Sequence, residues 1–178
     1  VFILYALMAR DAPTQARPLA WRDYAGVLRD SDVWWFMFFY SITFGGFVGL
    51  GGALPLYFTH WYHVSGVSAG VMVALVVFAG SMFRPVGGYL ADRFGGIRTL
   101  ECLLAIVSLS YVAVSRLPEG PSPAVTGGAT VAGWALAELP ASAWVAVALF
   151  FAGMLALGMG NGAIFQLVPL RFRREIGI

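Results

Sequence analysis

Four runs of apolar residues, each about as long as a lipid bilayer is thick, constrain this chain more than any other feature of its sequence. A helix needs roughly 20 residues to cross a hydrocarbon core about 30 Å deep, and the stretches at 33–59, 67–91, 99–116 and 143–169 meet or approach that length. With 60% hydrophobic and 11% charged residues, a chain of 178 has too little polar surface to cover a water-soluble globule. The expected fold class is therefore all-α: a polytopic bundle of membrane helices with the lipid bilayer as solvent.

The segments between the spans set the topology. Residues 1–9 are apolar from the start without a charged leader, so they read as the end of a helix belonging to a longer chain and not as a signal peptide. Residues 10–32 read as a polar loop, 117–142 as a Pro- and Gly-rich outer loop, and 170–178 as the start of another loop. The short connectors 61–66 and 92–98 make neighbouring helices antiparallel. Nine arginines (10, 17, 22, 29, 93, 98, 171, 173 and 174) then fall on one face and Arg116 alone on the other. By the positive-inside bias the arginine-rich face is cytoplasmic, which predicts a multi-pass protein of the cytoplasmic membrane. Trp34 and Trp35 at one edge, with Trp61, Tyr62 and Trp144 at the other, fit aromatic belts. The pairs Gly45/Gly49 and Gly158/Gly162, each four residues apart, predict faces on which helices approach closely.

Several function classes drop out. A net charge of +2 is too small and scattered for a nucleic-acid surface. Cys102 has no partner for an intrachain disulfide, and His60 and His63 stand without further ligands at metal-binding spacing, so neither a metal nor another cofactor is implied. No Ser/His, Cys/His or paired-carboxylate constellation lies at one depth, which argues against an enzyme.

Arg84 is the one charge well inside a span, where a guanidinium costs on the order of 3 kcal/mol. It precedes Asp92 by eight residues and so lies roughly 12 Å from the membrane edge, near the midplane. Glu101 sits near the inner edge, and Glu119 and Glu138 lie in the outer loop, so no carboxylate of this chain reaches that depth. Such a guanidinium is an anion site, its planar fork suited to a planar oxyanion, or else it pairs with an acid beyond this chain. Tyr40, Phe44, Asn161 and Phe165 converge on the same depth. Tyr40/Phe44 and Asn161/Phe165 are each spaced i, i+4 and share a helix face. They offer a hydroxyl, an amide and aromatic walls around an anion, with core packing or lipid contact as the competing role for the aromatics. Pro85, Gly87 and Gly88 weaken the helix beside Arg84, as a hinge or as a static kink.

The run Gly88-Tyr-Leu-Ala-Asp-Arg-Phe-Gly-Gly-Ile-Arg98 resembles the cytoplasmic loop signature of the major facilitator superfamily, with Gly88, Asp92, Arg93, Gly95 and Arg98 as its motif positions. Arg84-Pro-Val-Gly-Gly88, Tyr40-Ser-Ile-Thr-Phe-Gly-Gly-Phe47 and Gly158-Met-Gly-Asn-Gly-Ala-Ile-Phe-Gln-Leu-Val-Pro169 resemble the nitrate/nitrite porters within it. The resemblance implies the end of helix 6 to helix 10 of twelve, most of a C-terminal half. It implies a secondary transporter of nitrate and/or nitrite, working with the remaining half of the same transporter by alternating access. Arg84 would be the helix 8 member of an arginine pair that clamps the anion, and Tyr40, Phe44 and Phe165 its aromatic neighbours, with Asn161 in the glycine-rich patch of helix 10. The helix 2 arginine and the nitrate signatures of helices 5 and 11 lie outside this chain. The competing expectations are a facilitator permease for another small anion or solute and a non-transporting membrane anchor or sensor. Lack of a midplane acid leans toward nitrate/nitrite exchange over proton symport.

Overall fold

A computed structural model describes residue 26 and residues 28–120 and 139–172. The expectations for residues 1–9, most of the 10–32 and 117–142 loops, and Arg10, Arg17, Arg22, Glu138, Arg173 and Arg174 lie outside the described residues.

The described chain forms α1 (Ser31–Tyr40), a π-helical turn (Ser41–Gly45), α2 (Gly46–Trp61), α3 (Gly66–Met82), α4 (Arg84–Phe94), α5 (Gly96–Val114) and α6 (Ala141–Arg171). In space these make four rods, Ser31–Trp61, Gly66–Phe94, Gly96–Val114 and Ala141–Arg171, each long and apolar enough to cross a bilayer. The first two rods start just before their apolar stretches, each on a polar cap. The Asp30 carboxylate accepts from the Asp32 amide at 3.0 Å, and the Ser65 hydroxyl accepts from the Ser68 amide at 3.2 Å, both satisfying amides that a helix start leaves free.

The turn between the second and third rods is tighter than the 92–98 connector expected. Gly95 alone separates α4 from α5, at φ +93°, a conformation that only glycine adopts cheaply. The Thr99 hydroxyl donates to the carbonyls of Gly95 and Leu90 at 2.9 and 3.2 Å, tying the two helices across it. The second rod breaks at Phe83 (φ −90°, ψ 6°). Pro85, two residues on, has no amide proton to return to the Ser81 carbonyl.

α6 is the hub, packing on α3, α4 and α5. Gly158 lies against the Gly80 backbone, Gly162 against that of Arg84, and Gly87 against that of Met159; a Cβ on any of the three glycines would overlap a carbonyl oxygen. In lipid, where apolar surface gives no net drive to associate, such close approach is what binds helices. Gly45 and Gly49 have no such role among the described residues, where a Cβ at either would meet nothing within 4 Å. The first rod touches the bundle along one narrow side, and only 11% of its apolar window is buried. Trp34, Trp35, Trp61 and Trp144 are exposed, but Tyr62 is fully buried. Its place in the outer aromatic belt is therefore corrected: the Gly120 amide bonds the Trp61 carbonyl at 2.9 Å and brings the chain over the Tyr62 ring.

Candidate functional site: an arginine between aromatic rings

The site begins with the π-turn. One residue more per turn widens the helix and shifts the side chains that flank it. Thr43, fully buried, sits inside the turn; its hydroxyl donates to the Phe39 and Tyr40 carbonyls at 3.0 and 3.3 Å. Its methyl lies 3.1 Å from where a Cβ on Gly160 would be. The first rod is thus seated on α6 at the level of Tyr40 and Phe44.

Those two rings stack, with centroids 5.3 Å apart and planes 13° from parallel. Phe165 of α6 meets Tyr40 edge-on at 5.7 Å. The Arg84 guanidinium lies over the Phe44 ring at 5.8 Å and over the Phe47 ring at 5.1 Å. Tyr40, Phe44, Phe165 and Arg84, drawn from three rods, therefore form one group. Among the described residues no carboxylate lies within ion-pair distance of Arg84, and its Nε is buried without a hydrogen-bond partner.

Asn161 is 1% exposed, and among the described residues neither its amide oxygen nor its amide nitrogen has a partner. It shares an α6 face with Leu157 and Phe165, one turn to either side. Leu157 touches Gly46 just beyond the π-turn and Phe165 touches Tyr40, so that face looks at the first rod. The adjacent Gly162 abuts Arg84. Hydrogen-bonding capacity is left over at Arg84 and at Asn161, in surroundings that are otherwise apolar. An oxyanion accepts from both a guanidinium and an amide NH₂, and the rings supply apolar walls.

The family profile of the Major Facilitator Superfamily matches residues 1–177. The chain belongs to the major facilitator superfamily. It is 32% identical to the probable nitrate/nitrite antiporter NarK1 of Thermus thermophilus over 93% of its own length and 36% of the relative's. It is 28% identical to the nitrite extrusion protein of Bacillus subtilis (strain 168) over 85% and 33%. It is 32% identical to the probable nitrate/nitrite transporter NarK2 of Mycobacterium tuberculosis (strain H37Rv) over 95% and 38%. The chain thus spans about a third of the length of these relatives. No solved structure gives a significant match.

In this facilitator chain a cleft of about 500 Å³ runs down from the site, bounded by Arg84, Gly88 and Asp92 on α4 and by Gly162, Phe165 and Gln166 on α6. At its end the Gln166 amide donates to the Asp92 carboxylate at 2.6 Å. Of the other motif positions, Arg93 reaches the Tyr89 hydroxyl at 3.4 Å and lies over the Phe94 ring, Gly95 makes the turn, and Arg98 is exposed. At the same end Arg171 bonds Asp32 at 2.5 Å and lies 3.7 Å from Asp30, joining the start of the first rod to the end of the last.

Three residues of this arrangement escaped the sequence reading: Thr43, Phe47 and Gln166. Phe47 stands three residues from Phe44 and seven from Tyr40, a spacing that already places it on the same face. Gln166 stands four residues from Gly162, on the face that abuts α4.

Proposed function

We propose that this chain is the part of a facilitator that runs from the end of helix 6 to helix 10 of twelve, and that the complete protein carries nitrate and/or nitrite across the cytoplasmic membrane. The observation that carries the reading is Arg84: a guanidinium about 12 Å inside a span, with no carboxylate at ion-pair distance among the described residues, faced by Phe44 and Phe47. An arginine so placed is neutralised by its substrate, which rewards a small planar anion. Tyr40, Phe44 and Phe165 wall the anion, Asn161 donates to it, and the partner arginine comes from the other half. The names of the relatives from Thermus thermophilus and Mycobacterium tuberculosis support the choice of nitrate and nitrite.

In this mechanism the two halves rock about a midplane site, and the anion, once clamped between arginines of both, favours closure over it. The cleft between α4 and α6 supplies the route from Arg84 toward the arginine-rich, cytoplasmic face. The loop residues Gly88, Asp92, Arg93, Gly95 and Arg98 hold the tight turn that lets the second and third rods move as a unit.

The reading is tested by nitrate/nitrite counterflow in proteoliposomes holding the full-length transporter, with Arg84→Lys beside wild type. Lysine keeps the charge but not the fork, so counterflow should fall by at least tenfold. Unchanged counterflow in the lysine variant would remove Arg84 from the site, and its absence from wild type would remove nitrate/nitrite exchange.

A further inference from the structure

Phe47, which closes the stretch Tyr40–Phe47, has the closest ring to the Arg84 guanidinium, at 5.1 Å against 5.8 Å for Phe44. The two rings differ in freedom. Phe44 is 36% exposed and stacked on Tyr40, whereas Phe47 is 6% exposed and enclosed. What encloses it is a missing side chain: a Cβ on Gly80 would stand 2.5 Å from the Phe47 Cε2. Gly80 and Arg84 are spaced i, i+4 on one face of the second rod, so the bare backbone at 80 opens the slot from which the Phe47 ring reaches the guanidinium one turn below.

We propose that Phe47 is the positioning residue of the anion site, a fixed aromatic platform that holds the Arg84 guanidinium in the orientation its substrate needs. The inference rests on the transporter reading above and adds a residue to it. The attraction between a cation and a ring face is strongest where water is excluded, and Phe47, enclosed by its neighbours, meets the guanidinium from its buried side. It also leaves the donors free. A phenyl ring has no hydrogen-bond acceptor atom, so its contact with the cation leaves the guanidinium N–H fork to an anion. Phe47 thus stabilises the arginine in the empty site without competing for its hydrogen bonds, and limits the rotation that would cost affinity on each binding event.

The test replaces Phe47 in the full-length transporter by mono-, di- and trifluorophenylalanine, which drain charge from the ring face at nearly constant size, and reads nitrate KM and kcat by counterflow. KM should rise stepwise, reaching about tenfold for the trifluoro ring, with kcat within about twofold. Phe47→Tyr, which keeps an electron-rich ring, should stay near wild type, and Phe47→Leu should match the trifluoro variant. A flat series, or Phe47→Leu indistinguishable from Phe47→Tyr, would show that the ring only fills space and would overturn the proposal while leaving the transporter reading intact. Wild type without nitrate counterflow would instead overturn the reading itself and this proposal with it.

Discussion

Gly162 lies so close to Arg84 that a Cβ at position 162 would overlap the Arg84 carbonyl oxygen. The residue proposed to hold the anion is thus fixed to α6 by its backbone, while its side chain stays available. Gly158 repeats the contact one turn away, against Gly80. Both contacts are backbone to backbone, so no side chain can move aside to admit a methyl group. Gly162→Ala should cost at least the 1–3 kcal/mol typical of overpacking. A lower melting temperature in detergent and less folded protein in the membrane would report it. Gly70→Ala, at an exposed position where a Cβ meets nothing within 4 Å, should leave both unchanged.

The glycine contacts also mark where the sequence was legible. Gly158 and Gly162 announced a close helix face, and so did Gly45 and Gly49, yet only the first pair finds a partner among the described residues. Spacing reveals that a face can admit a neighbour, but which neighbour arrives depends on the whole bundle. That Arg84, Tyr40, Phe44 and Phe165 come together was legible because a charge inside an apolar span is costly and the i, i+4 spacing of Tyr40 and Phe44 fixes their face. Thr43 and Phe47 were not, because their roles depend on a π-turn and on a slot at Gly80. Neither has a local signature: Thr43 reads as an ordinary small residue of an apolar run, and Gly80 as one glycine among many. Tyr62 was misread as an interface aromatic because the loop segment that covers it comes from Gly120, far along the chain.

The π-turn gives a second prediction. Thr43→Val keeps the shape that meets Gly160 but removes the hydroxyl bonded to the Phe39 and Tyr40 carbonyls. Losing a buried hydrogen bond of this kind costs about 1 kcal/mol, and here the cost falls on the turn that sets Tyr40 and Phe44. Nitrate KM should rise a few-fold in counterflow, while Thr43→Ser, which keeps the hydroxyl, should remain near wild type. Equal behaviour of the two variants would assign Thr43 to packing alone.

At the other end of the cleft, Gln166 offers an amide to Asp92. Charge decides what position 166 tolerates. Gln166→Glu sets a second carboxylate against Asp92 and should lower both the melting temperature and the counterflow rate. Gln166→Lys supplies a cation and should preserve the link between α4 and α6. Since the pair is exposed, the expected effects on stability are no more than about 1 kcal/mol, and added salt should shrink them. A glutamate variant as stable and as active as the lysine variant would show that the contact does not couple the two helices.

Asn161 separates stability from function most sharply. Asn161 is 1% exposed with neither amide atom satisfied among the described residues, and a buried polar group without partners destabilises by about 1–3 kcal/mol. Replacement by an apolar residue of similar size removes that cost, so Asn161→Leu should melt at the same temperature as wild type or higher. If the unused amide is held for the anion, the same variant should lose at least tenfold in nitrate counterflow, since the donor that faces the substrate is gone. Thermal unfolding in detergent and counterflow in liposomes, measured on one preparation, decide between the two roles. A stabilised and inactive variant places Asn161 in the site, whereas a destabilised one shows that its amide already has partners in the complete transporter.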